Sequence, residues 1–164
     1  MILIVALLVL SSSCTLISTT PKLHRCRLPE ASSKLDFEKL SKTSWYSGLQ
    51  SNDITASMLS CIRLSNFTST ESGYRVVVKE HVSDNFLGGG HDVHMTDYKN
   101  YIASFVCPPG GISDKEHQMI WGFFPSPNPT LSQIAAYLNV LHQLGISVNF
   151  HASTCSNRDW SHDH

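Results

Sequence analysis

The feature that most constrains this chain is a series of short runs rich in β-branched and aromatic residues, each followed by residues that favour turns. This pattern begins near Thr43 and is typical of an antiparallel all-β protein. The predicted strands are Trp45 to Leu49, Ala56 to Leu64, Tyr74 to Val82, His91 to Thr96, Tyr101 to Cys107, Gln118 to Phe124 and Ile146 to Phe150. A closed antiparallel barrel would remove the exposed sheet edges, and about eight strands can enclose one small ligand.

One segment departs from the strand pattern and predicts a helix. Apolar residues recur there at helical spacing, which would give one apolar stripe: Leu131, Ile134, Ala135, Leu138 and Leu141. Thr130 and Gln133 form a capping box before the stripe, and Gly145 follows it as a stop signal. Because a lone amphipathic helix must bury its apolar stripe, we expect this helix to pack on the outside of the sheet.

The N-terminal residues predict export. The apolar run from Ile2 to Leu10 is about nine residues long, too short to cross a membrane, and small residues follow it. We interpret residues 1–18 as a signal peptide with cleavage between 14 and 20, since a buried strand or helix would leave the following Ser/Thr stretch unexplained. The sequon Asn66-Phe67-Thr68 fits an exported surface turn and predicts a glycan on Asn66.

Composition bounds the number of domains and the partners. After the leader, residues 26–155 fit a single folded domain and residues 156–164 a polar tail. The chain has 12 basic and 13 acidic side chains and no basic run, so it lacks the electrostatic footprint of a nucleic-acid-binding protein. We therefore predict an extracellular protein with no nucleic-acid partner and no transmembrane segment.

The cysteines predict disulfides. Loss of Cys14 with the leader leaves an even set in an exported domain, namely Cys26, Cys61, Cys107 and Cys155. No two of them are close neighbours, so a zinc knuckle is excluded and two disulfides are expected. Sequence alone permits three pairings.

Catalytic and metal-binding patterns are weak. No serine stands in a nucleophile elbow, no paired carboxylates stand out and the cysteines are assigned to disulfides, so we predict that the protein is not an enzyme. His91 and His94, and likewise His162 and His164, lack further ligands at suitable spacing. We interpret them as solvated surface histidines and predict no metal site.

Several motifs are similar to those of a known family. The run Thr96 to Ile102, followed by Cys107, is similar to the second lipocalin signature. Asp36-Phe37 and then Trp45-Tyr46 resemble the first signature, in which a tryptophan closes one end of the barrel. The resemblance extends from Leu35 to Cys155 and is greatest to the arthropod group of bilin-binding protein and insecticyanin, with apolipoprotein D.

The resemblance implies an up-and-down lipocalin-like barrel with its C-terminal helix outside, and disulfides Cys26–Cys107 and Cys61–Cys155. It also implies a carrier that needs no cofactor and binds biliverdin or another small apolar molecule, such as a retinoid, sterol, fatty acid or odorant. A monomer or weak homo-oligomer is expected. Two alternatives stay open, namely a protein-interaction lipocalin with a filled barrel and a truncated family member without ligand binding.

The chain departs from the family pattern at several positions. Thr43 replaces a glycine, and Pro125 replaces the basic residue expected to lie across the tryptophan. The segment between Cys61 and Asp97 is short by roughly 20 to 25 residues, or about one hairpin. We expect Gly88 to Gly90 to form the turn that replaces the missing hairpin. We therefore predict a sheet that stays open between the strand starting at Tyr74 and the strand starting at His91.

Alternation along the strands predicts which side chains face the interior, because neighbours on a strand point to opposite faces. Most such residues are expected to serve packing first, and those near the open mouth to contact a ligand. The predicted ligand-binding residues are Trp45, Leu49, Val93, Met95, Ile102, Ser104, Val106, Met119, Trp121 and Phe123.

Overall fold

A computed structural model shows an antiparallel sheet with one long helix near the C-terminus. It describes residues 24–25, 29, 35–71, 73–80, 91–107, 112–113 and 119–160. The strands are β1 (His24–Arg25), β2 (Trp45–Ser51), β3 (Ile62–Thr70), β4 (Gly73–Glu80), β5 (His91–Thr96), β6 (Ile102–Cys107), β7 (Ile112–Ser113), β8 (Met119–Phe124) and β9 (Phe150–Ala152). The helices are α1 (Phe37–Leu40), α2 (Ile54–Met58) and α3 (Leu131–Gln143), and a 3₁₀ turn spans Cys155–Asn157.

The main sheet has the strand order β4-β3-β2-β8-β6-β5, and β9 also pairs with β2. Every pairing in it is antiparallel. Within the described ranges, β4 and β5 are the two ends of this order and do not pair with each other. The all-β prediction and the position of the opening are thereby confirmed, while Gly88 to Gly90 lie outside the described residues.

Two predicted strands differ from the structure. The predicted strand from Ala56 to Leu64 begins instead with helix α2, because the Asp53 side chain accepts the Ala56 N–H at 2.8 Å and caps that helix. The last predicted strand, Ile146 to Phe150, is displaced to β9. The Ile146 N–H donates to Leu141 O at 2.9 Å and closes the end of α3, so these residues cannot start a strand.

The sheet separates two apolar clusters. The interior cluster consists of Leu40, Trp45, Ala56, Leu59, Ile62, Leu64, Phe67, Ile102, Trp121 and Phe123. The helix-side cluster lies between the sheet and α3 and consists of Ala103, Phe105, Ile120, Phe124, Tyr137 and Leu141. The sheet therefore has two buried faces, one toward the helix and one toward the interior.

Helix α3 has the predicted ends but a different buried face. The Thr130 capping box is present, and Gly145 has a φ of 68°. Leu141 packs on the sheet as predicted, but Leu131 is 86% exposed and Leu138 is 42% exposed. The buried face is centred instead on Tyr137, whose ring lies over a strand position without a side chain.

That position is Gly122 in β8. A Cβ atom there would lie 3.0 Å from ring atoms of Tyr137. The ring also makes edge contacts with Tyr101, Phe124 and Phe150, at centroid distances of 6.2, 5.9 and 5.7 Å. Gly122 thus lets a large aromatic side chain dock α3 on the sheet, together with Leu141 and Ile134 of the predicted stripe.

Replacing Tyr137 with phenylalanine is expected to raise the free energy of unfolding by about 1 kcal/mol at pH 7. The hydroxyl is buried and has no hydrogen-bond partner among the described residues. Burial also raises the pKa of Tyr137 above its ordinary value, so the hydroxyl stays protonated in the folded protein. Unfolded tyrosine ionises above about pH 10, which favours unfolding of the wild type, so the gain should grow in that range.

Urea unfolding of both proteins at about pH 7 and about pH 10.5 measures this gain. The half-buried Tyr101 is the matched control, and Tyr101→Phe should change stability little at pH 7. A Tyr137→Phe protein less stable than the wild type would show that the hydroxyl has a partner.

The segment that follows Cys155 is held in place up to Trp160. The Trp160 indole N–H donates to Cys155 O at 3.1 Å, and the ring contacts Tyr46 edge-on at 4.9 Å. The guanidinium of Arg63 lies 5.4 Å from the centroid of the same ring. The start of the predicted polar tail is therefore exposed from Ser156 to Asp159 and anchored at Trp160, while residues 161–164 lie outside the described residues.

One predicted disulfide is confirmed. Cys61 and Cys155 are bonded, and both are fully buried. Cys107 is also disulfide-bonded. Cys26 lies outside the described residues, so the pairing of Cys26 with Cys107 stays a prediction.

Candidate functional site

The candidate site is the interior face of the main sheet. One end of it is covered by α1 and centred on Trp45, which is fully buried and donates its indole N–H to Leu40 O at 3.0 Å. The Asp36 N–H donates to the Tyr98 hydroxyl at 3.0 Å and joins the start of α1 to the turn after β5. Trp45 thus lies where the resemblance placed its tryptophan.

The motif that resembled the second lipocalin signature forms the tight turn between β5 and β6. The Asp97 carboxylate accepts backbone N–H groups of Lys99, Asn100 and Tyr101 at 3.0, 2.7 and 3.3 Å. Partial burial acts to raise the pKa of Asp97, but these donors outweigh it and hold the pKa below its usual value. The polar residues of the motif therefore shape a turn, while Ile102 at its end belongs to the interior cluster and Tyr98 packs against it.

Most of the predicted interior residues lie on the interior face. Trp45, Ile102, Trp121 and Phe123 belong to the interior cluster, and Met119 packs against it. Ser104 is buried and pairs with Trp121, and Val106 is half-buried and pairs with Met119. Their contact with a ligand stays a prediction.

The predicted orientation of β5 is wrong. Met95 pairs with Ala103 and packs in the helix-side cluster, so it does not face the interior. His94 instead pairs with Ser104, on the interior face. The apolar pattern of this strand reflects burial under the helix, which sequence alternation alone cannot distinguish from burial in the barrel. Val93 pairs with Phe105, and its side chain is outside the described set.

The predicted orientation of Leu49 is also wrong. The pairing of β2 with β8 shifts between Ser47 and Leu49, so that Leu49 lies opposite Gly122 and packs in the helix-side cluster. Such a β-bulge inserts one residue and reverses the alternation that follows it. Gln50 therefore takes the interior position, directly opposite Trp121.

Side chains bridge the opening between β4 and β5. The Tyr74 hydroxyl is hydrogen-bonded to His94 Nε2, and the two rings are in edge contact at 5.6 Å. Tyr74 also stacks on Phe37 at 5.4 Å and Phe67 at 6.2 Å. The interpretation of His94 as a solvated surface histidine is therefore wrong. The structure does not describe the side chain of His91.

The interior face is accessible beside this bridge. Val78 pairs with buried Leu64 and so shares its interior face, yet Val78 is 44% exposed. Among the described residues, Val78 is thus a solvent-exposed apolar position of the interior face.

A hydrogen-bonded cluster of polar side chains lies in the interior on the side away from α1. The Asp53 carboxylate accepts the Ser51 hydroxyl at 2.8 Å and the Trp121 indole N–H at 2.9 Å, besides the Ala56 N–H. Ser51 Oγ in turn accepts the Ile120 N–H at 2.9 Å. This group fixes the Trp121 ring in place, and no spacing pattern in the sequence pointed to it.

The described part of the chain lacks both a metal-binding cluster and a membrane-spanning helix. It has no group of three or more His, Cys, Asp or Glu side chains that could hold a metal ion. None of its helices combines the length and the apolar character that crossing a membrane requires. His162 and His164 lie outside the described residues.

Comparison by sequence finds no match, either to a protein-family model or to a curated protein. Comparison by structure finds several similar proteins. The cockroach major allergen Per a 4 aligns with a TM-score of 0.55 and 14% identity over 82% of this chain and 99% of that chain. Apocrustacyanin C2 aligns over 77% and 92% (TM-score 0.46, 13% identity), and the siderocalin Ex-FABP over 66% and 89% (TM-score 0.38, 13% identity).

The likeness to the cockroach allergen shows the architecture of this chain. It is an antiparallel up-and-down sheet with one helix near the C-terminus, which is the lipocalin fold. The fold predicted from the sequence motifs is therefore confirmed.

Proposed function

We propose that this protein is a secreted, non-enzymatic carrier of a small hydrophobic ligand, which binds on the interior face of the sheet. The observation that carries the proposal is the exposure of Val78 on a face otherwise built of buried aromatic and aliphatic side chains. Ligand sites are mostly apolar with a few placed polar groups, and this face has that composition. Biliverdin or another tetrapyrrole, a retinoid, a sterol, a fatty acid and an odorant are the candidate ligands.

Titration of the purified protein with biliverdin, retinol and a long-chain fatty acid tests the proposal. Trp121 and Trp45 lie on the interior face, so a ligand there should quench their fluorescence saturably. A Trp160→Phe protein is the control, because Trp160 packs against Tyr46 and Arg63 rather than in the interior cluster, and its quenching curve should keep its midpoint. Quenching that is absent, or that rises linearly without saturation, would contradict a carrier function.

Export is supported by the buried disulfide, since such bonds persist in oxidising compartments. The proposal also includes a glycan on Asn66. Asn66 is exposed and has a φ of 53°, and the pairing of β3 with β4 shifts at this point. The sequon thus lies at an irregularity within β3 rather than in the expected turn, and its Asn66 side chain is exposed to solvent.

We expect the protein, when produced through a eukaryotic secretory route, to lose mass on treatment with an N-glycosidase. The Asn66→Gln protein should show no such loss. The Asn128→Gln protein is the matched control and should lose the same mass as the wild type. Asn128 is exposed and stands two residues before Thr130, but Pro129 between them blocks glycosylation. An unchanged mass of the treated wild type would refute the modification.

A second candidate function is binding of another protein. It is favoured by the outer face of α3, where Leu131 and Leu138 are exposed, and by Val77 on the edge strand β4, which is 46% exposed. Analytical ultracentrifugation distinguishes the two functions. A carrier is expected to sediment as a monomer or weak homo-oligomer, whereas stable assembly without ligand would favour the second function.

A further inference from the structure

We infer that the ligand carries a hydrogen-bond donor, such as a hydroxyl or N–H group, and that this donor binds the side-chain oxygen of Gln50. This inference rests on the proposed carrier function and narrows its ligand class. Gln50 is fully buried, lies on the interior face and is paired directly with Trp121. It is therefore a polar group among the aromatic residues of the proposed site.

The hydrogen bonds of Gln50 fix which of its atoms is left for a ligand. Its Nε2 donates to Leu59 O at 2.9 Å. Exchanging the amide oxygen and nitrogen would set two acceptors against each other, so the orientation is determined. Within the described ranges, Oε1 is buried without a hydrogen-bond partner. Because the great majority of buried polar groups in proteins are hydrogen-bonded, this acceptor calls for a donor.

The neighbouring groups do not provide that donor. The hydroxyl of Ser51 and the indole N–H of Trp121 are both directed to the Asp53 carboxylate. The Asp53 side chain also accepts a backbone N–H at its other oxygen. These two donors are thus engaged, and among the residues that the structure describes none donates to Gln50 Oε1, so we assign this acceptor to a bound molecule.

The charge of the site selects against an anionic ligand. The buried polar residues that the structure describes are Ser47, Gln50, Ser51, Asp53 and Ser104. They include no lysine or arginine, and they do include a carboxylate next to Trp121. A carboxylate ligand would meet an acceptor and a like charge without a counter-ion, which is unfavourable at low dielectric. His94 lies on β5, opposite Ser104, and is hydrogen-bonded to the Tyr74 hydroxyl. An alcohol or an N–H compound therefore fits better than a fatty acid.

Three ligands with the same alkyl chain and different head groups test the inference, namely 1-decanol, decyl methyl ether and decanoate at neutral pH. Isothermal titration calorimetry should show that decanol binds about 10-fold or more tightly than either of the others, since one good hydrogen bond corresponds to roughly one decade in Kd. Gln50→Met keeps the side-chain length. It should weaken the binding of decanol to the affinity of the ether and leave the affinity of the ether unchanged. Gln143→Met on the exposed side of α3 is the control and should change neither.

The outcomes separate this inference from the carrier function. Equal binding of decanol and the ether to the wild type, or tightest binding of decanoate, would overturn the donor inference and leave the carrier function standing. If none of the three binds and biliverdin and retinol do not bind either, the carrier function fails and the inference fails with it. If Gln50→Met does not fold, the comparison of head groups on the wild type still decides the question.

Discussion

Replacing Trp121 with alanine is expected to lower the free energy of unfolding by about 3–5 kcal/mol. The ring is only 3% exposed, packs in the interior cluster and is tilted against Phe123 at a centroid distance of 6.3 Å. Removing it leaves a cavity and also leaves the Asp53 carboxylate without the indole N–H, which donates at 2.9 Å. Because both effects act in the proposed site, ligand-induced fluorescence changes should fall as well.

Urea unfolding followed by circular dichroism measures the loss. Trp160→Ala is the matched control. The Trp160 ring is only half-buried and lies on Tyr46, so its removal should cost clearly less. If Trp121→Ala kept both the stability and the ligand response of the wild type, the interior assignment of this residue would be wrong.

Removing the disulfide between Cys61 and Cys155 is expected to cost about 2–5 kcal/mol. The two cysteines are 94 residues apart, and closing so long a loop restricts the unfolded chain strongly, so a value near the upper end is expected. The bond joins the residue before β3 to the residues after β9, and therefore holds the C-terminal segment on the sheet.

Comparison of single and double variants separates the bond from the packing of its atoms. Cys155→Ala and the double Cys61→Ala, Cys155→Ala protein should lose similar free energy, because either change removes the same bond. Differential scanning calorimetry of both proteins measures the two losses. A double variant that loses twice as much as the single variant would show that packing of each side chain, and not the bond, supplies the stability.

The elements that local signals specify were predicted well from the sequence. Helix α3 begins after Thr130 and stops before Gly145, because capping and a left-handed glycine act within one turn. The strands β5, β6 and β8 also lie within one residue of their predicted bounds. Their boundaries depend on nearby turn residues, which the sequence displays directly.

The orientation of the strands was harder to predict, because it depends on distant partners. Met95 alternates as an interior residue would, yet it faces the helix, since both faces of this sheet are buried. Leu49 was misplaced by a bulge that only the pairing of β2 with β8 reveals. The interior role of Gln50 and the contact of Tyr74 with His94 follow from these shifts, and no spacing rule indicated them.

The order of the strands has a consequence for when this protein can fold during its synthesis. Strand β2 lies early in the chain, but it pairs with β3, β8 and β9. The last of these strands ends at Ala152. Two of these three partners leave the ribosome long after β2 does. Because such non-local pairings form only after long loops have closed, the nascent chain can complete little more than the β3–β4 hairpin beside β2 at first. The sheet can therefore be completed only after Ala152 has been made, and until then the strand that carries Trp45 and Gln50 is paired along one edge only.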